Sequence, residues 1–298
     1  IFISPHTLWG NFPPKIPEPE TKELPFPPNL TVLPAPVIPE FIVVHLGVPT
    51  DTTADNVTVT FTDYIKNVTS AEIYSTWPEQ TIRANVLAIL SFTLNRVYTE
   101  WYRGKGYDFT ITNSTAFDQA FSYGRNYFED ISVIVDQIFT QYITRPNARQ
   151  PLLTQFCDGA RTLCADRGLE QWGSKNLGEQ GYDALTILRT YYGSDIYLAT
   201  AQRVQGIPVS YPGFTLQVGS SGPEVRVIQE QINRIADNYP ALPKVRADGF
   251  YSEETANSVR IFQQIFNLPQ TGVVDQATWY AISNIYVAVS GLAQPASF

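Results

Sequence analysis

Residues 70–80 read SAEIYSTWPEQ, and the carboxylate in that stretch, Glu72, stands where one helical pattern closes and the next opens. Tyr64, Val68 and Glu72 are spaced i, i+4 and i+8, so on a helix expected over 63–72 they share the apolar stripe. Glu72 also ends that helix, where the backbone dipole presents negative charge. Partial burial and an adverse dipole both disfavour the ionised carboxylate and raise its pKa. A carboxyl in that condition suits general acid catalysis. The same spacing also fits a structural carboxylate bonded to nearby backbone N–H groups.

The elements that would position Glu72 follow from patterning. FIVVHLGVP (41–49) has the unbroken apolar run of a buried strand, and NVTVTF (56–61) alternates like a half-buried one. Thr62 is placed to cap the 63–72 helix. A long amphipathic helix is expected from Trp77, with Thr76 and Glu79 as a capping box and Pro78 in the first turn. Its apolar positions Ile82, Val86, Ile89, Leu90, Leu94, Val97 and Trp101 keep helical spacing, and RGKG (103–106) ends it. A third helix is expected over 127–143, with Ile131, Ile134, Val135, Ile138 and Tyr142 on one side. QPLLTQFC (150–157) reads as a strand, and NLGEQG and ALTILRTYYG as short helices stopped by Gly181 and Gly193. The region 41–203 is therefore expected to be α+β, with helices and strands mixed.

The flanks differ in texture. Residues 1–40 are proline-dense, which excludes helix and favours extended chain. They read either as a flexible linker or as an ordered arm anchored by Leu8, Trp9, Phe12, Phe26, Leu33 and Val37, through which copies of the chain could join. VQGIPVSYPG (204–213) reads as a linker. Turn-plus-helix units then recur over about 75 residues, which indicates a small helical domain at 214–290 before a tail at 291–298.

Composition narrows the partners. The 298 residues carry a formal net charge of −8, against the basic footprint that nucleic-acid binding needs, and against an anionic membrane surface. No apolar run approaches the roughly 20 residues of a spanning helix. Charged residues make up only 16%, while 17 Tyr, 17 Phe and 5 Trp supply surfaces that stack on sugars or pack against other chains. The chain opens at Ile1 without Met, which a removed signal peptide or a trimmed start would explain. Cys157 and Cys164, the two cysteines, are compatible with an extracellular disulfide, although two free thiols would give the same sequence.

Two resemblances sharpen these expectations. Leu216, GSSG (219–222), Val225, Gln229, Asn233, DGFY (248–251), Thr255, Val259, FQ (262–263), Leu268, TGVV (271–274) and TW (278–279) make the C-terminal unit resemble the peptidoglycan-binding domain 1 family. That resemblance implies a small three-helix domain that binds peptidoglycan, with Asp248, Gly249, Tyr251, Thr255, Phe262 and Trp279 as its binding residues. Ser252 and Asp275 stand where the family usually has Gly. In the middle of the chain, DYIKNVTSAEIYSTWPEQTIRANVLAILSFTL, YDFTITNSTAFDQAFSYG and RGLEQWGSKNLGEQGYDALTILRTYYG together make residues 42–200 resemble the stage II sporulation protein D family, which includes the amidase-enhancer domain.

That second resemblance implies lytic transglycosylase chemistry on glycan strands, with Glu72 in the position of the catalytic acid. One carboxyl then suffices. It protonates the leaving glycosidic oxygen and afterwards takes the proton of the muramyl 6-hydroxyl as the anhydro ring closes. Asp118, Gln119 and Gln171 are candidates to hydrogen-bond the sugar, and Tyr74 and Trp77 to stack on it. Trp77 also reads as a core anchor, and Asp118 and Gln119 as loop-fixing residues. Ala165 and Glu170 replace the family's His and Ser, and His6 and His45 lie far from that motif, so neither a metal nor another cofactor is expected. Two function classes remain open: a secreted enzyme acting on cell wall, and a non-catalytic, self-assembling wall or spore-surface protein built from the same parts.

Overall fold

The computed structural model describes residues 35–159 and 168–290, and the described residues fall in one compact unit. The residues before 35, which carry most of the expected arm, lie outside them, as do Cys164, Ala165 and the expected tail. The architecture is mixed α+β, with small sheets around helices.

The chain enters through β1 (Val37–Ile38) and β2 (Phe41–His45), and β3 (Asn56–Thr60) pairs antiparallel with β2. Helix α1 (Phe61–Glu72) follows directly. Its cap is Thr60 rather than Thr62: the Thr60 side chain accepts from the Asp63 N–H at 3.1 Å, and Asp63 adds a favourable charge in the first turn.

Helix α2 (Glu79–Tyr98) begins without the expected capping box, because Pro78 holds the N-cap position and makes no side-chain cap bond. It ends before Trp101, which is 43% exposed, with the Lys105 ammonium 3.4 Å from its ring centre. Nor is α2 amphipathic. From Thr81 to Arg96 every residue but Arg83 is buried. The polar ones are satisfied locally or by neighbours: the Ser91 hydroxyl donates to Leu87 O and accepts from Ile143 N–H, and the Asn95 amide donates to Pro151 O. Helix α2 is thus the central post of the first part of the unit.

A two-residue strand, β4 (Ile111–Thr112), joins β2 in parallel. Helix α3 (Glu129–Ile138) is shorter than expected, since Gln141–Thr144 forms strand β5 and takes Tyr142 with it. Of the expected 150–157 strand only Phe156–Cys157 (β6) is regular, pairing in parallel with β7 (Leu169–Glu170). Helix α4 (Gln171–Glu179) starts earlier than expected, whereas α5 (Ala184–Tyr192) ends at Gly193 as expected. Strand β8 (Tyr197–Thr200) pairs antiparallel with β5, and β9 (Arg203–Val204) pairs in parallel with β1. Helices α1, α3, α4 and α5 and strand β5 all pack on α2.

The C-terminal part contains α6 (Pro223–Ala236), α7 (Glu253–Ile265) and α8 (Gln276–Ser290). Helix α8 packs on α6 and also on α3, where the Phe139 and Tyr280 rings meet edge to face at 4.8 Å. The 204–213 stretch is fastened rather than loose: Gln205 N–H donates to Ile38 O, Trp279 Nε1 to Val209 O at 3.0 Å, and Tyr211 N–H to the Tyr280 hydroxyl at 3.2 Å. Among the described residues no helix is long and apolar enough to cross a membrane.

Candidate functional site

Glu72, the last residue of α1, is the point where three separate stretches meet. Its Oε1 accepts from the Ala120 N–H at 3.1 Å, and its Oε2 accepts from Gln171 Nε2 at 3.0 Å. Burial pushes the Glu72 pKa above the ordinary glutamate value, and the bonds from Gln171 and Ala120 pull the other way. Relative to an ordinary glutamate the acid form is favoured, while the conjugate base keeps two donors. Such a group can give a proton and later take one back.

Gln171 is held from behind. It opens α4, and α4 lies close against α2 because Gly178 has no side chain: a Cβ there would come within 2.0 Å of Thr81 Oγ1. Thr81 Oγ1 donates to Ser174 O, and the Asn85 amide donates to Ser174 Oγ at 2.9 Å, which tie the two helices together. Gln171 itself is buried, so its amide has little freedom beyond a flip that would let it accept from a protonated Glu72.

Asp118 and Gln119 come to the same region but do not offer their side chains to a ligand. The Asp118 carboxylate is fully buried and accepts from Arg96 Nε (2.8 Å), the Tyr102 hydroxyl (2.7 Å), Thr112 N–H (3.0 Å) and Thr112 Oγ1 (2.8 Å). The Gln119 carbonyl oxygen accepts from the Tyr64 and Thr93 hydroxyls at 3.2 and 2.9 Å, and its amide donates to Ile89 O. Both side chains anchor the segment whose next backbone N–H, that of Ala120, reaches Glu72. Expected as sugar contacts, they are scaffold.

The aromatic residues divide similarly. Trp77 is 7% exposed and belongs to the core, whereas Tyr74 is 58% exposed. Trp172, which sequence reasoning passed over although it directly follows Gln171, is 40% exposed. The Trp77 ring lies 5.8 Å from Tyr74 and 5.1 Å from Trp172, and Tyr74 and Trp172 are 6.2 Å apart. Trp77 is the floor on which two exposed rings stand, a suitable surface for a sugar face. Cys157 lies in β6. Its expected pairing with Cys164 falls outside the described residues.

In the C-terminal part, four of the six residues expected to bind ligand are interior. Tyr251, Thr255, Phe262 and Trp279 are all buried; the Tyr251 hydroxyl donates to Gly272 O. Asp248 and Gly249 form a turn in which Asp248 Oδ1 accepts from Phe250 N–H. The motif residues instead build a repeated clamp. Gln229 on α6 accepts from Gly249 N–H (2.8 Å) and donates to Phe250 O (2.9 Å) and Thr255 Oγ1 (3.2 Å). Gln263 on α7 does the same to the next turn, accepting from Gly272 N–H (2.8 Å) and donating to Val273 O (2.9 Å) and Thr278 Oγ1 (3.1 Å). Gly249 and Gly272 have φ of 81° and 69°, which only glycine adopts freely. Ser252 and Asp275 need no such freedom. Ser252 accepts from Thr255 N–H and Asp275 from Thr278 N–H, so each caps the helix after its turn.

Residues 221–282 match the family model described as a putative peptidoglycan binding domain. The match supports a peptidoglycan-binding module in this part of the chain and points to association with the cell wall. No curated protein matches the chain.

Proposed function

We propose that the chain is an exported, wall-associated protein that grips peptidoglycan through its C-terminal module and cleaves glycan strands at Glu72 as a lytic transglycosylase. The observation that carries this reading is the Glu72 carboxyl itself: raised in pKa by burial, held by Gln171 and Ala120, and standing beside the Tyr74–Trp77–Trp172 cluster. The resemblance of residues 42–200 to the stage II sporulation protein D family supports the same chemistry. Glu72 as the acid donates its proton to the glycosidic oxygen as the bond to the muramyl C1 breaks. The muramyl 6-hydroxyl then bonds to C1 while Glu72 as carboxylate takes the hydroxyl proton. The products are a strand with an anhydro end and a strand with a free hydroxyl, and no water is consumed. Release of anhydro-ended fragments from purified sacculi tests the reading.

A second reading, a non-catalytic wall or spore-surface protein, is favoured by one observation. Both Glu72 oxygens already accept hydrogen bonds, and these tie α1 to the Ala120 segment and to α4. In that case Glu72→Gln would cost stability and no activity would be lost.

A further inference from the structure

A third exposed ring, Tyr123, lies on the segment that follows Ala120. From Ala120, whose N–H reaches Glu72, the chain runs back alongside α1 toward its N-terminal end. The Phe121 ring stacks on Tyr64 at 5.3 Å, and Ser122 N–H donates to Asn67 Oδ1 at 2.9 Å. Asn67 precedes Glu72 by five residues, about 7.5 Å along a helix axis. The next residue, Tyr123, is 63% exposed, and its ring lies 6.5 Å from that of Phe121. Tyr74 and Trp172 stand beyond the C-terminal end of the same helix.

The loop that carries Tyr123 is not free to fold its ring away. Asn67, itself buried, also donates through Nδ2 to Ser122 O at 2.9 Å and to Arg125 O at 3.0 Å. Arg125 in turn donates to Ser70 O at 3.3 Å, and Phe128 N–H donates to Ser70 Oγ at 3.1 Å. A single exposed aromatic on a loose loop would need no explanation. Here a buried amide spends three hydrogen bonds on holding a turn whose tip displays a bare ring. A pre-positioned ring of that kind offers contact area at little entropic cost.

We propose that Tyr123 is a second sugar-stacking position, on the opposite side of Glu72 from Tyr74 and Trp172, so that one glycan strand lies across Glu72 with sugars held on both sides. This rests on the proposed glycan-binding role of the Glu72 site.

The test uses the full chain carrying Glu72→Gln, so that the strand survives, titrated calorimetrically with N-acetylglucosamine oligomers of two and of six sugars. The six-sugar oligomer binds more tightly than the two-sugar one. Adding Tyr123→Ala weakens the six-sugar oligomer roughly three- to tenfold, while Tyr123→Phe, which keeps the ring, binds like the parent. Thermal unfolding of Tyr123→Ala matches the parent, since the side chain is exposed. Equal six-sugar affinity with and without the Tyr123 ring overturns the proposal, as does a parent that binds no six-sugar oligomer. If the unaltered chain cuts no glycan yet Tyr123→Ala still loses six-sugar affinity, the stacking position stands and only the cleavage reading falls.

Discussion

Replacing Asp118 by Asn separates scaffold from ligand contact at the residue where the two readings diverge most. The carboxylate is fully buried and takes four hydrogen bonds, one of them from Arg96, whose own side chain is only 8% exposed. Asn is nearly isosteric but neutral. Whichever way its amide turns, its NH2 faces a donor: Arg96 Nε on one side, Thr112 N–H on the other. Removing one partner of a buried ion pair costs about 3–5 kcal/mol, because the remaining charge is left uncompensated. Arg96 keeps some support from the Phe92 and Trp101 rings, each 4.8 Å from its guanidinium carbon. The lower end of that range, about 3 kcal/mol, is therefore expected. Urea unfolding followed by tryptophan fluorescence measures the loss, and glycan titration of the folded fraction measures any change in affinity. Lower stability with unchanged affinity is the expected pair of results. Stability within about 0.5 kcal/mol of the parent, together with a selective loss of affinity, would refute the scaffold assignment.

The other predictions concern Glu72, Trp172 and Gln263. Burial raises the Glu72 pKa above 4.5, so the folded chain keeps a proton that the unfolded chain releases, and stability falls as pH rises through that window. Glu72→Gln removes this loss, so its stability relative to the parent should climb from acid toward neutral pH; a flat difference in paired unfolding curves contradicts the assignment. Trp172→Ala should weaken glycan binding and cost about 1–3 kcal/mol of stability, from two ring contacts of about 0.5–1.5 kcal/mol each; equal affinity would remove it from the site. Gln263→Ala orphans the Gly272 N–H and should cost about 1–3 kcal/mol and retention on sacculi with it; unaltered unfolding would show that the clamp holds nothing.

Glu72 was legible because helical spacing says which way a side chain turns, and three motif-bearing stretches do converge on it. Helix caps were less so. Thr62 and Thr60 both have the right chemistry, and only the pairing of β3 with β2 through Thr60 decides where α1 begins. The full burial of α2 was hidden because periodicity registers large apolar side chains. Ser91, Thr93 and Asn95 look like solvent-facing positions until their partners are known. Motif residues misled in one direction. Asp118, Gln119, Tyr251, Thr255 and Trp279 recur in patterns that mark function, yet here they hold turns and cores. Residue type does not tell whether a polar group serves a ligand or the backbone. Trp172 and Tyr123, the exposed rings, carry no spacing signal at all and become visible only beside Glu72.

The central claim is that Glu72 cleaves glycan strands without water. Purified peptidoglycan digested with the unaltered chain and with Glu72→Gln, followed by mass analysis of the released fragments, tests it most directly. The account predicts fragments one water lighter than hydrolysis would give from the unaltered chain, none from Glu72→Gln, and equal retention of both proteins on the wall. Intact glycan with both proteins, or the same fragments from both, would contradict it.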